Sequence, residues 1–247
     1  RIEVDGTPSE RDYRKALRQV IAHCIYGVDL NPMAVELCKV ALWLEAVEPG
    51  KPLTFLDHHV KHGNSLLGVT PKLLKDGLPD GAFTPITGDD KKICSELKKK
   101  NKKERESKIT DMFGDEKDPI KLGNLVQTIA DLNAIQDDNL DGIHKKEQAY
   151  HEFIDSGVYK NTKLVCDAWC AAFVWEKTEQ AVQPLTTDTI WQIEISPFKV
   201  SNERKEEINR IADQYHFFHF HLEFPDVFSV PGKNQNPENV EMGWNGG

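Results

Sequence analysis

The chain has 247 residues, a formal net charge of −9, and 39% apolar against 29% charged residues. That length allows one or two domains with a sizeable core; the acidic balance excludes a whole-chain basic footprint for nucleic acid, and no apolar run approaches the roughly 18 residues of a membrane span. Five cysteines, an odd number in a long chain, argue against a disulfide-stapled secreted module and for a reducing, cytoplasmic setting. The sequence opens on Arg1 rather than Met and closes on Gly246-Gly247, so it is expected to be a piece of a longer protein.

Taken in chain order, Ser9-Glu10-Arg11-Asp12 is an N-cap signature with acid in the first turn. It predicts a helix over residues 10–22 with Tyr13, Ala16, Leu17, Val20 and Ile21 on one face. Residues 24–30 read as a short buried strand. Asn31-Pro32 then supplies a cap and a proline at the first helical position, predicting a helix over 33–47. Its apolar face comprises Val35, Leu37, Cys38, Leu42 and Leu44, and Pro49-Gly50 stops it. Residues 60–63 predict a second strand, with Asn64-Ser65 in the loop after it. Helix, strand, helix, strand is the alternation of an α/β sheet built from parallel strands.

The middle of the chain differs. Residues 76–90, rich in Gly, Pro, Asp and Thr, read as a loop. Residues 91–108 carry a local charge of +6, which leaves −15 for the rest. Helical periodicity marks 123–136, 142–156 and 164–178, and no strand is evident between Asp111 and Trp175, so a mainly helical insertion is expected. A short strand is expected within 190–200. Ser201 caps a helix running to about Tyr215. The aromatic and His-rich stretch 217–228 is expected to re-enter the core as a partly buried strand, and 234–247 is loop-like. The expected fold class is therefore α/β, a partial Rossmann-like sheet with a helical insertion. Its divisions are 1–75 (core), 76–189 (charged loop and insertion) and 190–247 (return to the core).

Two segments carry chemistry. An acid ending a buried strand, such as Asp29, points its carboxylate along the C-terminal edge of the sheet, where open α/β sheets bind nucleotides. There it can accept from two ribose hydroxyls, while Leu30 offers an apolar face to an adenine ring. In His62-Gly63-Asn64-Ser65-Leu66-Leu67-Gly68, an amide side chain can accept from an adenine amino group and the following N–H can donate to a ring nitrogen; the glycines allow close backbone approach. Each pattern also has an ordinary reading, a helix cap at Asp29 and a Gly-Asn turn at Asn64.

Together the stretch from Ile25-Tyr26-Gly27-Val28-Asp29-Leu30-Asn31-Pro32-Met33 to Leu44, the block Phe55-Leu56-Asp57-His58-His59, and Gly63-Asn64-Ser65-Leu66-Leu67-Gly68 resemble N6-adenine DNA methyltransferases. The resemblance is to the methylase parts of fused restriction–modification enzymes and bacteriophage-exclusion systems. Residues 217–228 resemble the segment just before the catalytic loop of that group. It implies S-adenosylmethionine as cofactor, with Asp29 on the ribose, Leu30 on the adenine, Asn64 on the adenine amino group and Ser65 contributing its backbone N–H. It implies double-stranded DNA as substrate, restriction or defence subunits as partners, and no membrane. The Gly-rich cofactor loop is expected before Arg1 and the Asn-Pro-Pro-aromatic loop, which holds a flipped adenine, after Gly247. Asn31-Pro32-Met33 and Asn236-Pro237-Glu238 both lack the second proline and the aromatic. No catalytic residue is therefore assigned within the chain, and the isolated chain is expected to be inactive.

Residues 98–105 offer cations for DNA phosphates, but a solvated helix or loop explains them as well. His58, His59 and His62, or Cys166 and Cys170, fall short of the four ligands of a closed metal site, and no metal is expected. Two other functions stay open from the residues alone: a nicotinamide-dependent oxidoreductase, which also uses an acid at a strand end, and a helical protein-interaction module.

Overall fold

The computed structural model describes residues 9–109 and 123–228. Helix α1 (Glu10–His23) starts on a reciprocal box: the Asp12 N–H donates to the Ser9 hydroxyl and the Ser9 N–H to the Asp12 carboxylate. Strand β1 (Gly27–Asp29) leads through Asn31 into α2 (Pro32–Glu45), where the Asn31 side chain accepts from the Met33 N–H, 2.9 Å away. Strand β2 (Val60–His62) lies parallel to β1, pairing Gly27 with Val60, Val28 with Lys61 and Asp29 with His62. The chain continues through α3 (Pro71–Asp76), a 3-10 turn (Asp80–Phe83), α4 (Lys91–Ile109), α5 (Gly123–Ala134), α6 (Leu140–Asp155), α7 (Gly157–Ala171), α8 (Thr187–Ile195), a second 3-10 turn (Pro197–Lys199), α9 (Asn202–Tyr215) and α10 (Phe220–Glu223).

The β1–α2–β2 unit is the parallel alternation read from the sequence, and α4 to α7 are the helical middle. The molecule is nevertheless mostly helical, and the described residues form a sheet of two strands, narrower than the expected partial Rossmann-like sheet. Two expected strands are corrected. Within 190–200 there is instead α8, because Thr187, Ile190 and Ile193 recur at helical spacing and bury one face while their β-branched side chains mimic a strand. Within 217–228, Phe217 makes a single parallel bridge with Asn64, after which the chain turns helical. There Phe220, Phe224 and Phe228 recur at every fourth residue, with backbone bonds from Phe224 N–H to the Phe220 carbonyl and from Phe228 N–H to the Phe224 carbonyl. The expected loop over 234–247 lies outside the described residues.

The chain divides into two compact units. The first comprises residues up to Gly63 with Gln127–Ile154, the second Asn64–Val126 with the chain from Asp155. In the first, α1 buries Arg18, Ile21 and Ala22, whereas Tyr13, Ala16 and Val20 of the expected face are exposed. Ile21, Ala46 and Leu56 pack with Leu17, Ile25, Leu42 and Trp43 as its small apolar core. On α2 only Val35 of the expected face is buried, while Leu37, Cys38 and Leu44 are exposed. In the second unit α7 forms the centre of a large core. Cys166, Ala168 and Trp169 pack there with Trp175, Ile190, Ile193, Ile208 and Ile211. Asn101 of α4 ties this core together: its amide donates to the Leu78 carbonyl at 2.8 Å and accepts from the Thr187 N–H at 2.8 Å.

Candidate functional site

Asp29 ends β1 and is exposed. Its Oδ1 accepts from the Asn31 N–H at 2.7 Å, which bends the strand into the cap of α2. One carboxylate oxygen therefore serves the turn, and the other has no partner among the described residues. Leu30 is 52% exposed, and its carbonyl is held 2.9 Å from the His62 ring nitrogen at the end of β2. That bond fixes the backbone between the acid and the helix cap. The sequence spacing gave no sign of it, because it joins two strand ends 32 residues apart. At this edge of the first unit, a fixed carboxylate sits next to a presented leucine side chain.

Asn64 and Ser65 follow β2 and belong to the second unit. The Asn64 N–H donates to the His216 carbonyl at 2.7 Å, and its side-chain oxygen accepts from the Leu66 N–H at 3.1 Å. An amide oxygen carries two lone pairs, so one stays open to a further donor. Ser65 is exposed. The loop is pinned again where the Phe218 N–H donates to the Leu67 carbonyl at 2.8 Å. Gly68 is required at this crossing: a methyl group there would run into the Phe218 carbonyl. Beside the loop lies a largely apolar cleft of about 310 Å³, lined among others by Ser65, Leu66, Gly68, Phe218, Phe220 and Phe228. Rings in that wall pack edge to face or tilted, Phe218 to Phe220 and Phe220 to Phe228 at 5.1 Å.

The histidines of the aromatic tail also have structural partners. His219 is 1% exposed; its Nδ1 accepts from the Val69 N–H at 3.2 Å and its Nε2 lies 2.9 Å from Asp167 Oδ1. His221 lies 3.8 Å from the Cys166 sulfur, and burial drives its pKa down to about 3, so the ring is neutral near pH 7. Burial pushes the Cys166 and Cys170 thiols up, keeping them protonated and unreactive as nucleophiles. Among the described residues no group of three His, Cys, Asp or Glu is placed to hold a metal ion. Asp167 and His219 were missed by sequence reasoning. The available signal was an aspartate on an apolar helix face, four residues after Lys163: a buried acid needs partners.

The basic stretch is helix α4. Lys100 pairs with Glu104 at 3.8 Å and Lys102 with Glu106 at 3.9 Å along the helix, while Lys98 lies 3.5 Å from Asp80 and Arg105 also bonds it. These pairs along the helix and to Asp80 engage four of its nine cations, a pattern that fits a solvated helix. No helix among the described residues is long and apolar enough to cross a membrane.

The family model described as Eco57I restriction-modification methylase matches residues 23–243, nearly the whole chain. No curated protein and no solved structure matches it.

Proposed function

The chain belongs to the Eco57I restriction-modification methylase family, and from that premise we propose that it is part of an enzyme transferring a methyl group from S-adenosylmethionine to the N6 atom of adenine in DNA. A restriction–modification methylase acts on DNA. Asp29 accepts from the ribose hydroxyls, Leu30 packs on the cofactor's adenine, Asn64 accepts from its amino group and the Ser65 N–H donates to a ring nitrogen. Residues 1–75 and 190–247 belong to the methyltransferase core, and 76–189 form the insertion. The setting is cytoplasmic, in restriction or phage defence, with restriction or defence subunits as partners.

The observation that supports this reading best is the end of β1. There a parallel strand delivers an exposed carboxylate with one oxygen engaged in the turn and the other without a partner among the described residues, followed by a presented leucine. Such an edge receives nucleotides in α/β sheets. Asn64 as the adenine reader is consistent with its remaining lone pair. Methyl transfer to N6 needs no metal in this reading: positioning and extrusion of the base from the stack carry the chemistry.

The test is a methyl-transfer assay on unmodified DNA with S-adenosylmethionine, followed by digestion to nucleosides. The protein containing this chain with its flanking coding sequence is expected to yield N6-methyldeoxyadenosine. The isolated 247-residue chain is expected to give background incorporation. Methylation of cytosine would overturn the target assignment, and robust turnover by the isolated chain would overturn the claim that it is inactive.

A further inference from the structure

We propose that Asp167 and His219 are positioning residues that set the Asn64–Val69 loop through the Val69 peptide. This deepens the function proposed above and rests on it.

Hydrogen-bond polarity fixes the tautomer of His219. A backbone N–H can only donate, so the Val69 N–H at 3.2 Å requires an unprotonated Nδ1 on His219. The single ring proton then sits on Nε2, where it faces Asp167 Oδ1 at 2.9 Å. Asp167 is fixed in turn: its Oδ2 accepts from Lys163 Nζ at 2.6 Å, one helical turn earlier on α7. Lys163, Asp167, His219 and Val69 thus form a directed chain whose members have one arrangement of protons. Asp167 and His219 are 3% and 1% exposed, so water does not compete for these bonds.

Val69 closes the stretch that starts at Asn64. At its other end, Asn64 is tied to His216 and Phe217, and the middle is tied where Phe218 meets Leu67. The loop cannot slide past the 216–221 segment, because Gly68 is already against the Phe218 carbonyl. What remains adjustable is the tilt of the loop about that crossing. The His219 bond removes that freedom and so fixes the direction of the Asn64 side chain and the Ser65 N–H.

Amide hydrogen exchange and titration with S-adenosylmethionine test this together, on the protein containing this chain with its flanking coding sequence. His219→Ala is expected to raise exchange at Val69, Leu66 and Asn64 by 10-fold or more and to weaken the cofactor by a similar factor. His219→Asn, whose side-chain oxygen can take the place of Nδ1, is expected to restore both in large part. Asp167→Asn is the second variant, should His219→Ala fail to fold, and is expected to move the same amides by a smaller factor. Unchanged exchange at those amides overturns the positioning role. Raised exchange with unchanged cofactor affinity also overturns it. An unmutated protein that binds no S-adenosylmethionine overturns the function beneath it, and is told apart because the His219→Ala exchange effect is then still seen.

Discussion

The two units differ in how many of their buried polar groups are partnered: among the described residues, His58, His59 and Lys146 of the first leave ring nitrogens and an ammonium without a hydrogen bond, whereas Asn101, Asp167 and His219 of the second are bonded. In the second, the large polar groups inside the apolar core have partners, although Arg105 Nε and Asn161 Oδ1 are buried without one among the described residues: Asn101 bonds to Leu78 and Thr187, Lys177 donates to the Trp175 carbonyl at 2.8 Å, and Asp167 lies between Lys163 and His219. In the first, the core is small and polar groups crowd its edge. Lys146 is fully buried, and its ammonium has no hydrogen-bond partner among the described residues. Neither ring nitrogen of His59 has one either, and Nδ1 of His58 has none. Burial, then the neighbouring His59, Lys146 and Lys61 charges, push His58 down to about 2; burial and Lys146 push His59 down to about 3. The same unit leaves Met33, Leu37, Val40 and Leu44 exposed along one stripe of α2. The second unit's core is built to stand on packing; the first unit's is held together by a few apolar contacts around uncharged imidazoles.

The second unit's core is most sensitive at Trp175. Trp175 is 1% exposed and its indole N–H donates to the Val182 carbonyl at 2.9 Å. Trp175→Ala is expected to lose about 3–5 kcal/mol in the second unit, from cavity and hydrogen bond together. Denaturant unfolding followed by exchange at second-unit amides measures it, and a loss below about 1 kcal/mol would contradict a packing-dominated core.

Acid is expected to break the weaker side. A histidine held neutral in the fold, with its pKa below the ordinary 6.5, contributes stability that is present above pH 6.5 and is lost as pH falls toward its folded value. At pH 5 each such histidine costs about 2 kcal/mol, so the first unit, with His58 and His59, loses roughly 4 and the second, with His221, roughly 2. Unit-resolved hydrogen exchange at pH 7.5 and pH 5 reads the difference. Equal loss in both units would show that the first unit's histidines are not held neutral.

A smaller change sharpens the comparison by improving the weak side. Burial holds the Lys146 amine below its ordinary range, with Asp137 opposing that and Arg18 reinforcing it. Lys146→Met keeps the stem and removes the ammonium, and is expected to stabilise the first unit by about 1–2 kcal/mol. Destabilisation in a thermal or urea scan would mean that the ammonium has a partner worth more than its burial. The smallest effect is on the α2 stripe. Leu37 and Leu44 are 62% and 71% exposed, so changing both to Gln is expected to alter stability by no more than about 0.5 kcal/mol.

Caps announce themselves locally, so the starts of α1, α2 and α9 were legible at Ser9, Asn31 and Ser201, and the β1–α2–β2 alternation with them. What was not legible depends on partners far along the chain. The exposed stripe of α2 has the same residues as a buried one, and only tertiary packing decides which faces are covered. Ile190 and Ile193 looked like strand because β-branched residues favour both a pleated face and, at three-residue spacing, a helix face. For the candidate site, Asp29, Leu30, Asn64 and Ser65 stand out as residue types at strand ends. The groups that hold them, His62 on Leu30 and His219 on Val69, do not, since these bonds span 32 and 150 residues.

Asp29 is the residue on which cofactor binding depends most in this reading, and titration calorimetry measures its contribution. The protein containing this chain with its flanking coding sequence is expected to bind S-adenosylmethionine and not NAD, and Asp29→Ala is expected to weaken that binding by about 10-fold or more, the loss of charge-assisted bonds to ribose hydroxyls. Equal affinity in the Asp29→Ala variant, or binding of NAD in place of S-adenosylmethionine, would contradict the account.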